Sequence, residues 1–382
     1  MIELKGISWN HSRGFDPMVA TAEAYMQSHS DMRITWHKRS LKEFGDFPIE
    51  KLAETFDLLV IDHPFVGFGA VDGCIIPLDE HIEADYLDEQ AANSVGKSHP
   101  SYQWDGHQWA LAIDAAAQIS AYRADLLDDD PPRTWDEALA LARRLRAGGQ
   151  ARVAIPIVPI DSLMSLFSIA TSLGEDPCAT PEVYVGREIG RAALDILTEL
   201  ADICHPQSMN WNPIHAFDAM SGTNEVAYVP LLFGYSNYGR AGYAEHLVNF
   251  TNVPGIKGAI LGGTGYAISS RCQHIEQAID YGKFVASPEV QRGLYFDSGG
   301  QPGHRAAWLD DRVNAASNNF FRDTLETLDN SYLRPRYDGY MWFQETAWYA
   351  VHEYLKVRSN PDSLLDHIDD LYRQSQREDS AS

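Results

Sequence analysis

Four consecutive apolar residues, Leu58-Leu59-Val60-Ile61, constrain the fold of this chain more than any other feature. A run without polar alternation needs cover on both faces, which is the condition of an interior strand in a parallel sheet. Leu4 to Trp9 and Met32 to Trp36 read as further strands, with a helical pattern over Met18 to Met26 between them. Strand–helix–strand order implies an α/β architecture with right-handed crossovers. In such sheets ligands gather at the carboxyl ends of the strands. The residues that follow those ends are therefore the first candidates: Asn10, His11 and Arg13 after one strand, Asp62, His63, Pro64 and Phe65 after another.

A length of 382 residues suggests two or three domains. With 45% hydrophobic and 22% charged residues, the chain is neither disordered nor a small disulfide-stapled protein. The 30 Lys+Arg against 54 Asp+Glu leave a net charge of −24, which argues against nucleic acid or an anionic membrane as the main partner. No run of about 18 apolar residues exists to span a bilayer. Cys74, Cys178, Cys204 and Cys272 form no C-x-x-C pair, and the 14 histidines are scattered, so neither a metal nor any other cofactor is expected. Met1 runs directly into a strand-like segment. That start implies a cytoplasmic protein if Met1 is native, and a periplasmic or cell-surface one if a leader has been removed.

Local signals place several helices. Thr134-Trp135-Asp136-Glu137 is a capping box after Pro131-Pro132, and Gly148-Gly149 ends the helix it starts. Ser287-Pro288-Glu289 opens another helix, Leu364 to Tyr372 carries an apolar stripe, and the polar tail from Gln374 is expected to fray. Gly262-Gly263-Thr264-Gly265 lacks the Gly-Lys-Ser/Thr of a phosphate loop and reads as a turn. Gly234 to Gly239 is too long for a nucleophile elbow, and His352-Glu353 lacks the second histidine of a zinc-protease helix.

The stretch Trp109 to Leu127, with Asp114, Tyr122 and Asp125, followed by Thr134-Trp-Asp-Glu137, resembles the hinge signature of extracellular solute-binding proteins of family 1. These are the sugar-type, maltose-binding-protein-like binders of ABC importers. Ser221 to Val229, Leu261 to Ser270, Ser287 to Gln291 and Ser298 to Pro302 follow in the order of that family. The resemblance implies an α/β, two-lobed periplasmic-binding-protein-like fold of type II with discontinuous domains. Residues 1–112 and 265–311 would form the N-terminal lobe, and 115–263 with 312–382 the C-terminal lobe. A monomer would close its interlobe cleft on a sugar, polyol or small acid and deliver it to ABC-transporter membrane subunits.

Position by position, the resemblance adds site candidates to Asn10, His11, Arg13, Asp62 and His63. Asp114 on the hinge strand is expected to face solvent in the open state, where a carboxylate accepts two sugar hydroxyls. Asp161 falls near another contact of the family. Phe233, Tyr235 and Trp342 fall where the family stacks aromatics on sugar faces. Arg336 and Tyr340 share a loop with Arg334 and Tyr337, and its arginines, with Arg13, suit a charged ligand. A second reading is a cytoplasmic enzyme or sensor descended from this fold, with acid/base chemistry by Asp114, His11 or His63.

Overall fold

The protein is described by a computed structural model covering residues 1–40, 48–149 and 151–379. The chain divides into two compact units, one of residues 1–116, 262–313 and 336–338, the other of 117–261, 314–335 and 339–382.

The first unit opens with β1 (Ile2–Trp9), α1 (Ser12–Ser28) and β2 (Met32–Arg39), followed by β3 (Leu58–Ile61) and α2 (Phe65–Asp72). β1 lies parallel to both β2 and β3, pairing Ile2 with Met32 and Gly6 with Leu58. Every residue of β3 is fully buried, as its unbroken apolar run requires. Leu4, Met18, Met32, Leu58, Val60, Tyr266 and Tyr281 belong to one core beneath this sheet. Further along come α3 (Ala84–Ala92) and a hairpin of β4 (Gln103–Trp104) and β5 (His107–Gln108). Asp105 and Gly106 at its tip both take positive φ, 49° and 80°, the turn for which an Asp-Gly pair is suited.

β6 (Leu111–Tyr122) carries the chain into the second unit, and its Ala115-Ala116-Ala117 centre is buried. There α4 (Trp135–Gly148) starts on the expected capping box, with Thr134 and Glu137 satisfying each other's backbone amides, and ends at left-handed Gly149. β7 (Arg152–Val153), α5 (Pro159–Ser172), β8 (Val226–Phe233) and β9 (Asn249–Thr251) follow. β8 pairs antiparallel with β6 and parallel with β7, and β9 pairs antiparallel with β6.

β10 (Leu261–Ile268) returns the chain to the first unit and pairs antiparallel with β3, Gly265 opposite Ile61. Two sequence readings need correction here. β3 has a parallel neighbour on one side only, and Gly262 to Gly265 form strand where a turn was expected. The glycines are needed for close approach instead. Gly263 takes φ +107°, and a Cβ there would lie 2.4 Å from the Asp114 carbonyl oxygen. The chain continues through α6 (Ile275–Ala286) to α7 (Tyr340–Val357) and α8 (Pro361–Asp379). In α8, Leu364, Leu365, Ile368 and Tyr372 form the expected buried stripe. The tail expected to fray from Gln374 is helical to Asp379, and residues 380–382 lie outside the described residues.

Replacing Gly263 with alanine should destabilise the protein by about 1–3 kcal/mol, the cost of a sparsely allowed backbone geometry, with any adjustment of the crowded Asp114 carbonyl added. Urea denaturation measures this. An unchanged midpoint and slope would show that the strand relaxes freely around the new methyl group.

Candidate functional site

The loop after β1 is organised by α1. His11 is the N-cap residue, and its Nδ1 accepts the Arg13 backbone amide at 3.0 Å, satisfying one of the helix's otherwise unpaired donors. That bond needs an unprotonated Nδ1. Burial, reinforced by the Arg13 charge, lowers the His11 pKa to about 4, so the ring stays neutral at pH 7. Asn10 beside it is exposed.

Arg13 turns inward, with 4% of its surface exposed. Its Nε donates to Asp114 Oδ2 at 2.9 Å and its Nη2 to Oδ1 at 2.5 Å, a two-pronged ion pair between residues 101 apart in sequence. Asp114 is 1% exposed. Burial pushes its carboxyl above the ordinary carboxylate range, while the charge and hydrogen bonds of Arg13, with a backbone bond from Gln301, pull the other way. The expectation that Asp114 faces solvent is therefore corrected: both its oxygens accept from Arg13 inside the first unit. Sequence could suggest an acid and an arginine near the strand ends, but not that they would choose each other.

After β3, His63 is fully buried, with Nδ1 3.2 Å from Asp62 Oδ1 and its ring edge-on to Tyr102. Asp62 Oδ1 also accepts the His63 amide at 2.9 Å, and the Asp62 side chain keeps 23% of its surface exposed. Arg336 belongs to the short return into this unit, where its Nη1 donates to the Pro100 carbonyl at 3.0 Å.

In the second unit, Asp161 sits in the first turn of α5 and is buried. Burial alone lifts its pKa to about 8, so it is largely protonated at pH 7. Tyr235 is a core residue set edge-on to Phe217, and Tyr340 is completely buried at the start of α7. Phe233, at the end of β8, and Trp342, in the first turn of α7, are half-buried. Arg334 is also buried, its Nη1 donating to Gln344 Oε1 at 2.8 Å. Of the four aromatic candidates, then, two are committed to the core and two are half-buried.

All four cysteines are free thiols, and burial raises the pKa of each, Cys74 to about 12 and Cys272 to about 11. Among the described residues, no group of three or more His, Cys, Asp or Glu is placed to hold a metal ion, and no helix is long and apolar enough to cross a membrane.

A family profile described as bacterial extracellular solute-binding protein matches residues 49–320, and the chain belongs to that family. Its fold is that of the two-lobed maltose-binding-protein-like binders. The maltose-bound MalE3 of T. maritima superposes with a TM-score of 0.85 at 18% identity, covering 98% of this chain and 99% of that one. A solute-binding protein of Thermotoga lettingae TMO, bound with α-D-tagatose, gives a TM-score of 0.82 at 16% identity over 98% of this chain and 100% of its own. In sequence, a maltotriose-binding protein of Pyrococcus abyssi is 25% identical over 135 residues. That match spans 35% of this chain and 29% of the length of the curated relative.

The buried acid in α5 gives a pH-dependent test. Asp161 ionises near 3.8 in the unfolded chain and near 8 in the folded one. Between those values the folded state binds more protons, so stability falls as pH rises through that window. Asp161→Asn should therefore stabilise the protein at pH 8.5, on the order of a few kcal/mol, with the gain shrinking towards pH 4. Urea denaturation at both pH values reads this out. An equal effect at the two would mean that the carboxyl is not held protonated.

Proposed function

We propose that this protein is a receptor that captures a small carbohydrate or polyol outside the cytoplasmic membrane and presents it to the membrane subunits of an ABC importer. The observation that carries the reading is membership of the solute-binding family, supported by half-buried aromatics at Phe233 and Trp342. An aromatic ring packs on the apolar face of a sugar, while carboxylates and amides bind its hydroxyls. The structural relatives bound to maltose and tagatose support the same ligand class.

The groups assigned to the ligand are four exposed or half-buried members of the candidate set: Asn10 and Asp62 from the first unit, Phe233 and Trp342 from the second. The interlobe cleft implied by the sequence is part of this proposal, as are the monomeric state and the extracellular or periplasmic location. Arg13, Asp114 and His11 enter as supports that fix the loop carrying Asn10. Two observations weigh against acid/base catalysis by Asp114 or His11. Both Asp114 oxygens accept from Arg13, and His11 is neutral with Nδ1 engaged as a helix cap.

Titration calorimetry with maltose, maltotriose, tagatose and ribitol tests the reading, with saturable one-to-one binding expected for at least one of them. Trp342→Ala should weaken that binding about ten- to a hundred-fold, as expected from loss of about 1.5–3 kcal/mol of apolar burial. Heat from none of these ligands, or wild-type affinity in the Trp342 variant, would count against the carbohydrate assignment or the aromatic's role respectively.

A further inference from the structure

A cavity of about 510 Å³ lies within the first unit, between α3, the β4–β5 hairpin and the turn at Leu78–Glu80. Its size is in the range of small-molecule sites. Two buried polar side chains line it without satisfying their own hydrogen-bonding needs. Gln108 is 4% exposed, and its Nε2 donates to the carbonyls of His99 and Ala110, which fixes the orientation of the amide. Its Oε1 is left buried with no donor. His99 is 3% exposed, and its ring has no hydrogen-bond partner among the described residues. A nearly buried ring left without a protein partner on a cavity wall points to a ligand that pairs it.

We infer that this cavity binds a small protonated amine carried on a compact apolar body. The polar groups that face it are mostly acceptors: the neutral, unpaired His99 ring inside, and the exposed carboxylates of Asp88 and Asp105 at the rim. An ammonium group offers three donors and no acceptor. Trp104 provides an aromatic surface for the cation, and Leu87 apolar cover for the body that bears it. Existing cations do not cancel this preference. His107 is paired with Asp79 at 2.9 Å, and Arg336 donates to the Pro100 carbonyl. Counting Asp79, Asp88 and Asp105 against Arg336 and a protonated His107, the lining carries a net charge of −1, and it is more negative when His107 is neutral. The inference uses none of the residues assigned to carbohydrate, and it stands or falls separately from that reading.

The probe is cyclohexylmethylamine, with cyclohexylmethanol as its neutral counterpart, titrated into the full chain by calorimetry and by ligand-observed saturation-transfer NMR. The amine should bind at least about tenfold more tightly than the alcohol. Asp88→Asn combined with Asp105→Asn should remove most of that difference, because both acids are exposed and can change without disturbing the fold. Trp104→Leu should weaken the amine by a similar factor and leave the far-UV circular dichroism unchanged. Three outcomes would each overturn the inference: no saturation transfer to the amine at millimolar concentration, equal affinity for amine and alcohol, or amine binding that survives the carboxylate and tryptophan changes.

Discussion

The Arg13–Asp114 ion pair is the interaction on which the first unit's strand-end architecture depends. Two opposite charges are taken almost wholly out of water, which is tolerable only because the guanidinium meets both carboxylate oxygens in a fixed two-pronged geometry. The pair joins the first turn of α1 to β6, and the backbone around Asp114 is held from another side. Asp114 bridges Pro302, Ala115 donates to the Gln301 carbonyl, and Gly263 gives β10 room beside the Asp114 carbonyl. Several segments distant in sequence are thus positioned by one carboxylate and its peptide.

This arrangement guides which candidate residues the proposal assigns to a ligand. Arg13 and Asp114 are occupied with each other, and His11 is occupied with the helix end that sets Arg13 in place. Asn10 beside them is exposed, and the Asp62 side chain keeps 23% of its surface exposed. The second unit shows the same division. Tyr235 and Tyr340 hold the core, whereas Phe233 and Trp342 are half-buried. Rigid supports carrying a few accessible groups are what a binding protein needs, because orientation fixed in advance lowers the entropy lost when the ligand arrives.

Much of the fold was legible because it rests on local signals. The apolar run at Leu58 to Ile61, the capping box at Thr134 and the stripe in α8 each express a rule that acts within a few residues. The order of motifs around Asp114 led to the correct family. What sequence did not reveal depends on long-range pairing. A glycine-rich stretch can form a turn or a crowded strand, and only its neighbours, here β3 and the Asp114 peptide, decide that β10 is strand. An acid on a hinge strand can face a ligand or a buried arginine, and the partner lies 101 residues away. The hairpin at Asp105-Gly106 is different. Its signal was present in the dipeptide and its flanking Trp104 and His107, and it marks the wall of a cavity that sequence reading passed over.

The most direct test of the ion pair's central place is a double-mutant cycle on unfolding free energy with Arg13→Met, Asp114→Leu and the two combined. Each single change leaves one buried charge without its partner and should cost about 3–5 kcal/mol. The double variant, which removes both charges, should lose far less than the sum of the two. A double variant whose loss equals that sum would contradict the account, because additive losses mean that the two side chains do not depend on each other.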